Sequence, residues 1–333
     1  MHFQTTPVLA SVLVVLSAFG SIVSGSAATP AAQPSLAPAE SPPPPTETNV
    51  RYGPHERQVL DFWRAPSERP TPLVFHIHGG GWVTGDKAKI ANVQSYLDAG
   101  ISVVSINYRY VSQAIAAGVQ PPVQWPLEDA ARALQFVRSK AKVWNLEKAR
   151  VIATGGSAGA CSSLWLAMND DRADPTSSDP IARESTRLES AAVDGAQTTL
   201  DPAQMIVWTP NSRYGGHAFG FWPDAGNLKT RDTAFAEFLR ERARVLPWIK
   251  QYSPMALVTP DDPPVYLIYK APPALGQDQK DPTHTANFGV KFQEELRSRR
   301  IPCELVYPGA PNVTHPETKD YILATLKSPP KRR

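Results

Sequence analysis

The chain has 333 residues, enough for one large domain or two small ones, and its 42% apolar and 20% charged content suits a globular protein with a substantial core. A net charge of +3, with no basic stripe interleaved with aromatics, sets nucleic acid aside as a partner. Two cysteines, Cys161 and Cys303, exclude a disulfide scaffold and are expected as unpaired thiols.

The first elements along the chain are not parts of a fold. Residues 1–28 read as a secretory signal: the apolar run from Val8 to Val23 is too short for an ordinary spanning helix, and Ser26, Ala27 and Ala28 offer a cleavage site. Such a signal implies a secreted or periplasmic protein with no stable membrane insertion after cleavage; an uncleaved anchor is the competing reading. Residues 29–49, rich in Pro, Ala and Ser, cannot bury a core and read as a disordered spacer. The folded domain is then expected over 50–326, with a basic, solvated tail at 327–333.

Within that domain, short β-rich runs alternate with helical patterns. Pro72–His78 and Ile101–Tyr108 read as strands, and Leu127–Lys142 as a helix. Arg150–Gly155 is a strand leading into Ser157 and a helix through Met168. Pro263–Lys270 is the next clear strand, followed by a helix, the strand CELVYPG from Cys303, and a last helix from about Glu317 to Leu326. This order predicts an α/β fold with a mostly parallel central sheet and helices on both faces. Between Asn169 and Pro260 the rhythm breaks around one probable strand and one probable helix, and a lid or cap insertion is expected at about 203–250.

The stretch GGSAGA, Gly155–Ala160, places a serine among small residues between a strand and a helix. A nucleophile elbow needs such neighbours, because any larger side chain would strike the flanking strand and helix. A phosphate loop is disfavoured because no lysine follows the glycines. The second piece is HGGGW, His78–Trp82, a glycine run after a strand. It can present backbone N–H groups to a site and, with the N–H of Ala158, supply donors for an oxyanion. His76 and His78 lack the neighbouring carboxylate or third histidine of a metal site, so no metal or other cofactor is expected, and His78 is read as bracing the loop.

A serine nucleophile needs a base and a carboxylate to orient it. Of seven histidines, His315 lies on the loop between the last strand and the last helix and is favoured as the base, with His284 and His217 less favoured. Asp278 and Asp281 follow the strand Pro263–Lys270, and Asp281, at the loop end before a helix, is favoured. Asn312-Val313-Thr314 matches a glycosylation acceptor, but a glycan there would obstruct the proposed base, so the match is read as chance.

With HGGGW, INYRY (106–110), PLEDAARAL (126–134), GGSAGA and SPMALVTPDDPPVYLIY (253–269) in this order, the chain resembles carboxylesterases of the α/β-hydrolase superfamily, near the hormone-sensitive-lipase-like and feruloyl-esterase-like branches. The resemblance implies Ser157 as nucleophile, His315 as base, Asp281 as orienting acid, and Gly80, Gly81 and Ala158 as oxyanion donors. Gly156 stands where the lipase-like branch usually has Asp, and IYKAPPA departs from the usual His-Gly ending of the strand before the acid. The implied function is hydrolysis of small-molecule or polysaccharide-linked esters through an acyl-enzyme, with Trp82 a candidate substrate contact. An amidase or peptidase of the same fold, or a non-catalytic binding member, are the rival classes.

Overall fold

The structure, a computed structural model, describes residue 2 and residues 41–328. The signal reading of 1–28, the spacer up to residue 40 and the tail from 329 lie outside the described residues. The strands are β1 (Glu47–Arg51), β2 (Val59–Trp63), β3 (Thr71–Ile77), β4 (Ser102–Ile106), β5 (Leu146–Gly156), β6 (Ser190–Asp194), β7 (Val265–Ile268) and β8 (Cys303–Val306). They form one sheet in the order β1-β2-β4-β3-β5-β6-β7-β8. The pairs β1/β2 and β2/β4 are antiparallel and the rest parallel.

The inner strands β3, β4 and β6 are largely apolar because both faces of the sheet are covered there. In β3, Leu73, Phe75 and Ile77 enter the larger core, while Val74 between them enters the smaller core on the opposite face. The helices before the serine are α1 (Val93–Asp98), α2 (Val111–Ala116), α3 (Gln124–Ser139) and α4 (Ala141–Trp144). α5 (Ala158–Met168) follows the serine; it is buried along its whole length and lies in the larger core with α3. Between β6 and β7 come α6 (Pro202–Trp208), two 3-10 turns, α7 (Arg231–Arg240), α8 (Arg242–Tyr252) and α9 (Pro254–Leu257); α10 (Ala286–Ser298) and α11 (Thr318–Lys327) follow β7 and β8.

Two expectations about boundaries change. The domain is ordered before Val50: β1 begins at Glu47, and the Trp63 indole donates to the Pro43 carbonyl at 2.7 Å. Asp61 on β2 accepts the Asn49 N–H at 2.8 Å, which gives the polar end of the spacer a partner and makes it an edge strand. The single helix expected after residue 231 is two, α7 and α8, broken at Glu241, and α8 carries Pro247 within it. Cys161 and Cys303 are both unpaired, as expected.

Chain order fixes where a site can form. After β3 the chain moves to β4 on one side, then returns to β5 on the other. The ends of β3 and β5 therefore splay apart at a switch point, where the loops that follow them face each other across a crevice.

Candidate active site

The loop after β5 carries Ser157, at φ 55° and ψ −123°, a backbone conformation that β-carbon-bearing residues rarely adopt. Its neighbours are small for a measurable reason. A Cβ on Gly155 would stand 2.2 Å from the Ile77 carbonyl oxygen, and one on Gly159 only 2.0 Å from the same atom. Gly156 has no such neighbour: the nearest atom, the Asp194 carbonyl oxygen, would be 3.9 Å away. The Asp194 carbonyl instead accepts the Ser157 N–H at 3.0 Å, tying the turn to β6.

The glycine run after β3 faces this turn. Gly80, Gly81 and Trp82 have successive positive φ values of 101°, 61° and 59°. The N–H groups of Gly80 and Gly81 donate to no other group among the described residues. The N–H of Ala158, first residue of α5, has no intrahelical acceptor. His78 braces the loop from behind: its ring stacks on Tyr108 at 4.2 Å, and its Nδ1 lies 2.8 Å from the Gly79 carbonyl oxygen. Burial holds the His78 imidazole down at about 4, so the ring is neutral and Nδ1 donates to Gly79. His76 is bonded to Ser105 Oγ at 2.9 Å and is likewise held near 3 by burial.

The base position is a correction. His315 does not meet Ser157. Its Nδ1 lies 2.7 Å from Glu304 Oε2 on β8, its own N–H and that of Thr314 donate to Glu304 Oε1, and its ring stands edge-on to Tyr321. The edge strand thus holds the imidazole on a carboxylate of its own. His284 takes the place expected for His315: its Nε2 is 2.9 Å from Ser157 Oγ and its Nδ1 is 2.9 Å from Asp281 Oδ2. Asp281 thus bonds the imidazole that meets Ser157, whereas among the described residues no hydrogen bond joins Asp278 to His284 or Ser157.

The acid and the imidazole come from one tight turn, Asp281-Pro-Thr-His284, ahead of α10. Asp281 Oδ1 accepts the backbone N–H groups of Thr283 and His284, both at 3.2 Å, which fixes the carboxylate against the ring. Partial burial pushes the Asp281 carboxyl up, but the bond and charge of His284 and the two backbone donors outweigh it and hold the group below its ordinary range. Gly195 permits the approach, since a Cβ there would be 3.3 Å from the Cβ of His284.

Trp82 is also corrected as a substrate contact. Its side chain is wholly buried, and its indole N–H donates to Ser162 Oγ on α5 at 2.9 Å. It pins the strained glycine loop to the helix that carries the serine turn. Sequence reasoning missed Asn287, buried at the start of α10. It donates to the carbonyls of Trp208 and Ala274 and to Thr209 Oγ1, and accepts from the Ala274 N–H at 2.7 Å. It joins the acid loop to the segment after α6; only the neighbouring helix start signals it in sequence. Among the described residues no group of three or more His, Cys, Asp or Glu side chains could hold a metal ion.

The BD-FAE family model matches residues 60–272. The chain belongs to the BD-FAE family. The BD-FAE match includes the glycine run and the serine turn but ends before Asp281 and His284. Esterase LipQ of Mycobacterium tuberculosis is 24% identical over 279 residues, 80% of this chain and 56% of that protein. Probable carboxylic ester hydrolase LipM of the same organism is 32% identical over 151 residues, 43% of this chain and 32% of that protein. The BD-FAE chain thus spans about one third to just over half the length of these relatives. Among solved structures it is similar to Thermogutta terrifontis esterase 2 phosphonylated by sarin, with TM-score 0.58 and 19% identity over 86% of this chain and 94% of that one. It is also similar to a truncated carbohydrate esterase from gut microbiota, with TM-score 0.57 and 19% identity over 80% and 90%. These likenesses carry the fold, which is that of the α/β-hydrolases.

Proposed function

We propose that this BD-FAE-family chain is a serine carboxylic ester hydrolase in which His284, not His315, activates Ser157. The observation that carries the reading is the bridging imidazole, 2.9 Å from the serine oxygen on one side and 2.9 Å from the carboxylate on the other. Asp281, ionised, accepts from Nδ1–H and so leaves Nε2 as the lone-pair nitrogen facing Ser157. Ser157 Oγ attacks the ester carbonyl carbon while its proton passes to His284 Nε2. The carbonyl oxygen takes the negative charge and is held by the N–H groups of Gly80, Gly81 and Ala158. His284 then gives its proton to the leaving alkoxide, forming the alcohol and a serine ester. Water, activated by the same imidazole, attacks that ester and releases the acid.

The substrate reading is a small-molecule or polysaccharide-linked ester. The carbohydrate esterase among the similar structures supports it, as do the Mycobacterium esterases among the relatives. Replacing Ser157 with Ala is expected to lower kcat on short nitrophenyl esters by a factor on the order of 10⁴ or more, with KM little changed. Retained turnover in that variant would remove the serine from the reaction.

A further inference from the structure

The segment that leaves β6 touches both halves of the site. The Asp194 carbonyl accepts the Ser157 N–H at 3.0 Å, and the Gly195 N–H donates to the Ile268 carbonyl on β7 at 2.8 Å, so the segment is fixed at the sheet. Two residues on, Gln197 is wholly buried, and its Nε2 donates to the Gly195 carbonyl at 3.2 Å and to the Thr283 carbonyl at 2.8 Å. Thr283 is the residue before His284. One side-chain amide thus spans from the strand end that holds the nucleophile to the turn that carries the base.

The acid–base turn has little else to hold it. The Asp281 side chain is 63% exposed and that of His284 39%. The bonds of Asp281 stay inside the turn, and His284 Nε2 meets Ser157 itself. Among the described residues, the Thr283 carbonyl accepts the one other hydrogen bond that residues 281–284 make to the rest of the chain. The stretch before the turn is secured separately, since Asn211 donates to the Gln279 carbonyl at 2.9 Å and accepts the Gln279 N–H at 3.0 Å. Only N–H groups can face two carbonyl oxygens, so the amide orientation is set, and Gln197 Oε1 is left buried with no partner. Folded proteins seldom keep a buried acceptor unpaired. An apolar side chain would avoid that cost, so the two N–H groups account for an amide at this position.

We infer that Gln197 is a positioning residue that joins the end of β6 to the acid–base turn and so keeps His284 Nε2 at hydrogen-bond distance from Ser157 Oγ. The inference rests on the reading of His284 as the base. Such a role acts on the rate of attack and not on ester binding, because Gln197 is buried and offers no atom to the substrate. Misplacing a reacting group by about 1 Å can cost on the order of a hundredfold in rate.

The test compares wild type, Gln197→Met, Gln197→Glu and His284→Ala on p-nitrophenyl acetate from about pH 6 to about pH 9, with urea titration to show that each is folded. Gln197→Met keeps the length of the side chain and removes both donors. Its kcat is expected to fall at least about fivefold at every pH, with KM within about twofold of wild type. In Gln197→Glu the carboxyl group, buried against carbonyl oxygens, keeps its proton above the ordinary carboxylate range and while protonated donates to Thr283. Its kcat relative to wild type is expected to fall at least about fivefold as the pH rises across that interval, because the carboxylate that forms repels the carbonyls. Loss of packing alone would give no such pH dependence. Should Gln197→Met fail to fold, the pH dependence of Gln197→Glu decides. A smaller loss in Gln197→Met, a loss carried by KM, or a Gln197→Glu rate in constant ratio to wild type overturns the inference. An inactive His284→Ala beside an unimpaired Gln197→Met overturns it alone. If His284→Ala keeps wild-type turnover, or the wild type does not hydrolyse the ester, the reading of the site falls, and this inference with it.

Discussion

Ser157 holds its unusual backbone angles because Gly155 and Gly159 let the turn press against the Ile77 carbonyl. Gly159→Ala would drive a methyl group into backbone atoms of Ile77 and His78, neither of which can swing aside as a side chain would. The expected cost is about 3 kcal/mol or more, seen as a lower urea midpoint together with loss of activity. Gly156→Ala meets no such obstacle and should fold with nearly unchanged stability. The serine and its glycines were legible because this constraint is local and writes itself into adjacent residues. The base was not. His315 has the expected place in chain order, and nothing near it in sequence reveals that Glu304, on a neighbouring strand, holds its ring. The signal that could have found His284 was its separation of three residues from Asp281 across a proline, just before a helix.

At the scale of elements, the glycine loop keeps its shape through contacts made by residues first noted only as motif letters. Arg109 of INYRY forms a two-pronged ion pair with Asp129 of PLEDAARAL, with Nη2 to Oδ1 at 2.6 Å and Nε to Oδ2 at 2.9 Å. Asp129 is buried and also accepts from the Gln58 amide and the Arg109 N–H. On the loop itself, Asn107 takes the Lys87 N–H and donates to Asp86, and Lys87 pairs with Asp61. Asp129→Ala strands a partly exposed guanidinium and two further donors, the Gln58 amide and the Arg109 N–H, so a loss of about 3 kcal/mol is expected in chemical denaturation. An unchanged midpoint would mean that the pair does not hold these elements. The strand and helix pattern from β3 onward was readable because parallel strands buried on both faces are continuous apolar runs. The antiparallel edge formed by β1 and β2 was not, since β1 is polar and half exposed and depends on Asp61 for its place.

For the whole molecule, the buried neutral histidines set an acid limit. His78 and His217 are held near 4 in the fold and His76 near 3, and all three return to about 6.5 on unfolding. Between those values the unfolded chain binds protons that the folded chain does not, so stability is full above pH 6.5 and falls as the pH drops toward 4. The slope approaches about 1.4 kcal/mol per pH unit for each histidine. The urea midpoint should therefore decline steeply below pH 6.5; a flat midpoint down to pH 4.5 would contradict the neutral, buried state of these three rings. The fold class was legible from the alternation of elements along the chain, whereas the packing of the β6–β7 insertion over Gly81 arises from contacts distant in sequence.

The most direct test of His284 as the base is the rate at which an organophosphonate labels Ser157, followed by mass spectrometry in the wild type, His284→Ala and His315→Ala. Labelling is expected to slow by a factor on the order of 10³ or more in His284→Ala and to stay within about threefold of wild type in His315→Ala. The reverse pattern, with His315→Ala silent and His284→Ala still reactive, would contradict the assignment.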